Sequence, residues 1–186
     1  MIGLFQVAEE IQSLCFQQSW QFCFVGGLAL QRWGEPRVTG DVDLTLLTGF
    51  GDEEYYIEEL LRHFTPRIAD AKEFALDNRV LLLQSQNGIG IDVALGWLPY
   101  EKLVVTRATS FEFLPQLSLL TCSAEDLIVL KAFADRPRDW DDVRGIIVRQ
   151  GFLDWNYIDT QLLPLAEAKE SPHILDRLSQ LRQRRY

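Results

Sequence analysis

The sequence predicts an α+β protein (α/β in the broad sense), in which a mixed β-sheet flanked by helices is followed by a small helical portion. Up to residue 121, short apolar segments typical of strands alternate with segments of helical periodicity. Asn87-Gly88 lies between two of the apolar segments and predicts a β-hairpin, which brings antiparallel neighbours into the sheet. From Ser123 onward the pattern is helical only. We therefore expect a core over residues 1–121 and a helical portion over residues 122–186 that packs on it.

The elements of the first part can be followed in chain order. Residues 2–18 carry apolar side chains at helical spacing and acids on the other face, which predicts a helix. A strand over residues 22–25 then leads directly into Gly26-Gly27 and a short helix over residues 28–33. The remaining predictions are strands at 42–47, 80–84 and 89–95, an acidic helix from Gly51 that Pro66 ends, and two weaker strands near Phe111 and Leu117.

The second part begins with a capping signal. Ser123 and Asp126 resemble a capping box, with Asp in place of the usual Glu, in front of an apolar helix. Further helices are predicted at residues 139–150, from Asp154 with a kink or break at Pro164, and after Ser171-Pro172. The basic tail of the last helix is interpreted as a solvated helix end; it contains Arg182, Arg184 and Arg185.

Composition excludes several classes of protein. The 186 residues are 47% hydrophobic and 24% charged, which is typical of a globular protein. The net charge of −9 argues against coating nucleic acid by bulk charge, although a local basic groove stays open. No apolar run reaches about 18 residues, and the N-terminus has acids where a signal peptide needs bases. Cys15, Cys23 and Cys122 have no metal-ligand spacing and are expected to be core residues, so we predict a cytoplasmic protein without membrane contact.

Two carboxylates stand two residues apart in the segment RVTGDVDLTLL. If this segment is extended, Asp41 and Asp43 point to one face together with Arg37 and Thr39. Such a pair repels itself unless a cation lies between the carboxylates, and a hard divalent ion with oxygen ligands at roughly 2.0–2.1 Å would supply one. The alternative is that both Asp side chains face solvent beside Arg37.

Gly26-Gly27 and Asp92 add to this pattern. Glycines between a strand and a helix allow backbone amides to approach a phosphate, although Gly-Gly also marks tight turns. Asp92 stands among apolar residues on a predicted strand, so it has to be paired, protonated or metal-bound unless it is an exposed hairpin residue. Three Asp residues on neighbouring strands could hold two Mg²⁺ ions about 3.5–4 Å apart, as in-line phosphoryl chemistry requires.

These residues resemble a known family. The segment VGGLALQRWGEPRVTGDVDLTLL is similar to the signature of the minimal-type nucleotidyltransferases of the polymerase-β-like superfamily. In that signature Gly-Gly is followed by a variable stretch and then by alternating hydrophobic residues and Asp. The pattern G-G-x-A-L with R-x-T-x-D-x-D is similar to bacterial nucleotidyltransferases that include AbiEii-type toxins, and SAEDLIVLKAFADRPRDWDDV resembles a helical motif of that family. The resemblance implies a nucleotidyltransferase-type fold.

The resemblance also implies roles for individual residues. Asp41, Asp43 and Asp92 would be the catalytic carboxylates and metal ligands, with Asp92 as ligand or general base. The cofactor would be Mg²⁺, with Mn²⁺ as the alternative. The residues implied in nucleotide binding are Gly26, Gly27, Arg37, Thr39 and Lys131.

Lys131 also has a structural interpretation, a side chain that extends to solvent from an apolar helix face. The roles of Arg136, Arg138, Asp139 and Asp142 are open, and ion pairs that hold the two halves of the chain together are favoured over a catalytic role.

The function predicted from these residues is transfer of a nucleoside monophosphate from a nucleoside triphosphate to a hydroxyl group, with release of pyrophosphate. The acceptor is open among a small molecule, a tRNA and a protein, and the enzyme would act in a toxin–antitoxin or phage-defence system. The alternative is a nucleotidyltransferase-like protein of weak or no activity that binds a protein partner as toxin, antitoxin or scaffold.

Overall fold

A computed structural model describes residues 2–183, so Met1 and residues 184–186, including Arg184 and Arg185 of the basic tail, lie outside the described residues. The chain divides into two compact units. The first contains the residues up to Leu28 together with Val38–Cys122, and the second contains Ala29–Arg37 and the residues from Ser123 onward.

A mixed sheet dominates the first unit. Its strands are β1 (Phe22–Phe24), β2 (Asp41–Leu47), β3 (Thr65–Pro66), β4 (Val80–Gln84), β5 (Gly90–Gly96), β6 (Thr109–Leu114) and β7 (Leu117–Thr121). Within residues 2–183 these seven strands form one sheet in the order β3-β4-β5-β2-β1-β7-β6. β2 is parallel to β5 and β1 is parallel to β7, while the other neighbours are antiparallel, so the predicted mixed sheet is confirmed.

The first unit also contains helices. They are α1 (Ile2–Gln17), α2 (Gly26–Trp33, which continues into the second unit), α3 (Glu53–His63), α4 (Ala71–Asn78) and α5 (Pro99–Thr106). Alternate side chains of β2 and β5 are apolar and buried in the core, with Val42 and Leu44 on one strand and Ile91 and Val93 on the other. Because neighbours along a strand point to opposite faces, this burial places the Asp residues of both strands on the other face of the sheet.

The described part of the second unit, up to residue 183, is helical apart from its connections. It contains α6 (Ala124–Ala134), α7 (Pro137–Arg149), α8 (Trp155–Ala168) and α9 (His173–Gln183). The predicted cap of α6 is confirmed, since the hydroxyl of Ser123 accepts a hydrogen bond from the backbone N–H of Asp126 at 3.1 Å. α8 runs through Pro164 as one helix, where a kink or break was predicted. None of the helices in residues 2–183 is both long and apolar enough to cross a membrane.

Three elements were not predicted. β3 is only two residues long, and α4 is a short helix of eight residues without a side-chain cap. α5 did carry signals: Pro99 occupies its first turn, and the Glu101 carboxylate accepts hydrogen bonds from the backbone N–H groups of Trp97 at 2.8 Å and Leu98 at 2.9 Å. Proline in the first turn followed by an acid is a recognised helix start.

Candidate functional site

Three carboxylates lie on one face of two adjacent strands. β2 and β5 are parallel, and their register sets Asp43 beside Asp92 and Asp41 beside Gly90. Asp41 and Asp43 are two residues apart and therefore share a face, which Asp92 joins from the neighbouring strand. The spacing of the first pair is visible in the sequence, but the proximity of Asp92 depends on the parallel pairing.

The N-terminus of α2 contacts the face of the sheet that carries the three Asp residues, which we call the carboxylate face. The backbone N–H of Gly27 donates a hydrogen bond to Asp43 Oδ2 at 3.3 Å, and the N–H of Val25 donates to the Asp43 carbonyl oxygen at 3.0 Å. Gly26 has φ of +54°, and a Cβ atom there would overlap the Asp43 carboxylate. Glycine is therefore required at position 26 both by the left-handed backbone and by the close approach of Asp43.

Thr39 completes this part of the site. Its hydroxyl donates a hydrogen bond to the Asp41 carbonyl oxygen at 3.3 Å, and its side chain lies where a Cβ atom of residue 27 would be. Residue 39 belongs to the loop before β2, because the strand begins at Asp41. The first unit thus brings together the two glycines, Thr39 and the three Asp residues.

Arg67 is a site residue that the sequence analysis missed. It directly follows β3, and its guanidinium group forms a short ion pair with Asp92 and lies 3.8 Å from Asp41 Oδ1. The sheet order carries it there, since β3 pairs with β4 and β4 with β5. No local spacing indicates a contact across 25 residues. The available signal was electrostatic: three carboxylates on adjacent strands require a positive charge, and that charge can come from the chain itself.

The surroundings of the Asp92 carboxylate raise its pKa. Burial raises the pKa of Asp92 above its usual value, the Arg67 guanidinium opposes this rise, and the charge of Asp41 adds to it. The net direction is upward. A carboxylate with a raised pKa is a stronger base once it is ionised, so Asp92 is suited to accept a proton.

Lys131 and Arg37 lie in the second unit, bound to the same carboxylate. Lys131 Nζ is 2.6 Å from Asp142 Oδ2 and 3.0 Å from Asp139 Oδ1, and all three side chains are buried. Arg37 binds Asp142 through two hydrogen bonds, from Nε at 2.9 Å and from Nη2 at 2.8 Å. Burial alone would raise the pKa of Asp142, but the hydrogen bonds and charges of Arg37 and Lys131 hold it below its usual value.

The other basic residues of this motif lie around the same cluster. Arg136 Nε is 2.5 Å from Asp139 Oδ2. Arg138 lines an open pocket of about 390 Å³ together with Arg37 and Asp142. Asp139 and Asp142 are therefore members of a buried ion-pair cluster within the second unit.

The donor chemistry of the carboxylate face suits a hard divalent ion. Asp41, Asp43 and Asp92 offer the oxygen ligands that Mg²⁺ prefers. Within residues 2–183, however, no three His, Cys, Asp or Glu side chains converge as they would around a bound ion. A positive group of the protein, the Arg67 guanidinium, lies between two of the carboxylates instead. The three Asp residues therefore fit a cation in charge and donor type, while in this structure the Arg67 guanidinium neutralises two of them.

A mixed sheet that carries paired carboxylates beside a Gly-Gly helix start is the arrangement expected of a nucleotidyltransferase. Residues 15–185 match the model of the family described as nucleotidyl transferase AbiEii toxin, type IV TA system. Because this match covers nearly the whole chain, the protein belongs to the AbiEii nucleotidyltransferase family. The resemblance seen in the sequence and the predicted enzyme class are confirmed.

Solved structures are also similar to this chain in fold. An antigenic nucleotidyltransferase-like protein from Paracoccidioides brasiliensis is 18% identical, with a TM-score of 0.47 over 96% of this chain and 91% of that chain. The antibiotic-resistance factor ANT(2'')-Ia in solution is 16% identical, with a TM-score of 0.47 over 96% and 89%. ANT(2'')-Ia in complex with adenylyl-2''-tobramycin is 15% identical, with a TM-score of 0.49 over 98% of both chains. No curated protein matches the chain in sequence.

Proposed function

We propose that the protein transfers a nucleoside monophosphate from a nucleoside triphosphate to a hydroxyl of an acceptor, in a reaction that depends on Mg²⁺. The observation that carries the proposal is the register of β2 and β5, which sets Asp43 beside Asp92 with Asp41 on the same face. Membership in the AbiEii family supports nucleotidyl transfer as the chemistry and a toxin–antitoxin system as the setting. A small molecule, a tRNA end or a protein hydroxyl would each serve as acceptor.

The metal would be held by the Asp residues. Asp41 and Asp43 are the proposed ligands, with Asp92 as a third ligand or as the base, and Mn²⁺ would be expected to substitute for Mg²⁺. A divalent ion at such a site supplies charge neutralisation and orientation of the phosphate that is attacked. The exposed carboxylate of Asp41 and the partly covered carboxylate of Asp92 are reachable from solvent.

The triphosphate would be bound by backbone and basic groups. Gly26 and Gly27 stand at the positive end of the α2 dipole, which favours a phosphate, and they are the proposed backbone contacts. The Gly27 N–H donates to Asp43 in this structure, so a bound phosphate would share that donor with the carboxylate. Thr39 lies against Gly27 and is a proposed nucleotide contact. The family resemblance adds Arg37 and Lys131 as proposed nucleotide contacts, and within the second unit both are bound to Asp142.

Asp92 is the proposed base. The acceptor hydroxyl oxygen forms a bond to the α-phosphorus, the bond from this phosphorus to the β-phosphate oxygen breaks, and pyrophosphate leaves with the electron pair. The proton of the hydroxyl passes to Asp92. Its raised pKa favours proton acceptance, provided that the assay pH keeps the carboxylate ionised.

Nucleotide binding and transfer can be tested with one set of variants. We expect wild-type protein to bind a nucleoside triphosphate in calorimetric titration only when Mg²⁺ is present. Asp43→Asn should reduce transfer by about a hundredfold or more, because metal-ion catalysis supplies several kcal/mol and each 1.36 kcal/mol is a factor of ten.

The matched control is Asp77→Asn, which removes one exposed carboxylate from α4 in the same unit. It should bind and transfer as the wild type does. Normal Mg²⁺-dependent binding and transfer by Asp43→Asn would contradict the proposal. It would favour the protein-partner function, which would survive the loss of these carboxylates.

A further inference from the structure

We propose that Arg67 is a positioning residue that acts as an internal counter-ion of the carboxylate site, and that its ion pairs with Asp92 and Asp41 compete with the divalent metal. The inference rests on the proposed function, since it assumes that the three Asp residues bind the ion. Arg67 would then set the metal affinity of the site without being a ligand.

The backbone holds Arg67 in place for this role. Its N–H donates a hydrogen bond to the Leu82 carbonyl oxygen at 3.0 Å, which continues the pairing of β3 with β4. From this edge the side chain extends over β4 to Asp92 on β5 and Asp41 on β2. The Arg67 side chain is about 28% exposed, so it is partly covered.

Gly90 provides the space through which Arg67 reaches Asp41. A Cβ atom at residue 90 would lie 2.8 Å from Arg67 Nη1 and would overlap the Asp41 carboxylate. Gly90 is also the strand neighbour of Asp41. Any other residue at this position would separate the guanidinium from one of its two partners. The contact of Arg67 with both carboxylates therefore depends on a glycine at one strand position.

Arg67 and a divalent ion compete for the same carboxylates for an electrostatic reason. Carboxylates on adjacent strands repel one another, and Arg67 offsets this repulsion when no metal is bound. The guanidinium does not lose its proton in proteins, so its charge persists when a divalent ion approaches. Both cations need the same carboxylate lone pairs, and close positive charges repel. Metal binding therefore requires that the ion pairs of Arg67 open.

The test measures Mn²⁺ affinity, by titration with the free ion and electron paramagnetic resonance at about pH 8, where the carboxylates are ionised. Arg67→Gln should bind Mn²⁺ about tenfold or more tightly than the wild type, because one positive charge beside the ligands is gone. Arg67→Lys, which keeps the charge but loses the planar fork, should lie between the two. A purely structural role of Arg67 would give no gain in affinity.

Arg62→Gln is the matched control. Arg62 is about 70% exposed and pairs with Glu59 on its own helix, so its loss changes the net charge equally. It should bind Mn²⁺ as the wild type does.

If the wild type binds Mn²⁺ and neither Arg67 variant binds it more tightly, the counter-ion inference is overturned and the proposed function stands. If the wild type itself binds no Mn²⁺, the proposed metal site fails, and the inference fails with it. Should Arg67→Gln not fold, the affinity of Arg67→Lys decides in the same way.

Discussion

At the scale of single residues, Gly26 links the backbone conformation at the start of α2 to the position of the Asp43 carboxylate, a proposed metal ligand. Its φ of +54° belongs to the left-handed region, and its missing side chain makes room for the Asp43 carboxylate. The next residue, Gly27, donates its N–H to that carboxylate. The start of α2 and the position of Asp43 thus depend on each other.

Replacing Gly26 is expected to have two separable effects: a loss of stability from backbone strain and a loss of nucleotide binding from the displacement of Asp43. Gly26→Ala forces a left-handed L-residue, at about 1–2 kcal/mol, and also displaces Asp43. Gly49→Ala is the control, because Gly49 has φ of +75° with nothing within 4 Å of a Cβ atom. Both variants should lose stability in urea unfolding, but only Gly26→Ala should lose metal-dependent nucleotide binding. Equal binding by the two variants would refute the proposed link between Gly26 and Asp43.

At the scale of elements, the sequence predicted the strands and caps that are determined by residues close together in the chain. The apolar alternation predicted β2 and β5, and the Ser123 hydroxyl predicted the start of α6, because strand faces and caps are set by neighbours in sequence. Arg67 could not be predicted, since its contact with Asp92 exists only after β3, β4 and β5 pair in order. The beginning of α2 was placed two residues late, because the two glycines weaken the helical signal.

The cap of α6 is expected to contribute measurably to stability. The Ser123 hydroxyl accepts from the Asp126 N–H at 3.1 Å and donates to the buried Asp126 carboxylate at 2.7 Å. Ser123→Ala should therefore lower the free energy of unfolding by about 1–2 kcal/mol, whereas Ser123→Thr keeps the hydroxyl and should lose less. The exposed Ser179 in α9 is the control, and Ser179→Ala should change stability by less than about 0.5 kcal/mol. An equal loss for Ala and Thr at position 123 would rule out the hydroxyl as the cause.

At the scale of the whole molecule, the balance of charge predicts how stability responds to acid. The chain has 27 acidic and 18 basic residues, and both units contain buried acids bound to arginine. Glu53 is paired with Arg79 in the first unit, and Asp142 with Arg37 and Lys131 in the second. The hydrogen bond from Arg79 lowers the pKa of Glu53, and the two cations lower that of Asp142 against the opposing effect of burial.

The sign of the pH dependence follows from these directions. A carboxylate whose folded pKa lies below its unfolded value contributes stability above the unfolded pKa, which is about 4, and loses it as the pH falls through the folded pKa. Asp92 acts in the opposite sense, because its raised pKa favours the folded state only at low pH. We therefore expect the free energy of unfolding to be nearly constant from about pH 7 to pH 5 and to fall steeply below about pH 4.

Asp142→Asn tests how much of this fall comes from the buried cluster. It leaves Lys131 with one carboxylate partner fewer in a buried position, so it should cost about 3–5 kcal/mol near pH 7. It should also make the acid-induced loss shallower, because one depressed pKa is removed. Asp141→Asn is the neighbouring control: its side chain is about 73% exposed and lies 3.4 Å from Arg144, an exposed pair worth about 1 kcal/mol at most. Urea unfolding from about pH 3 to pH 7 should separate the two variants. An acid response of Asp142→Asn as steep as that of Asp141→Asn would mean that the buried cluster does not govern acid stability.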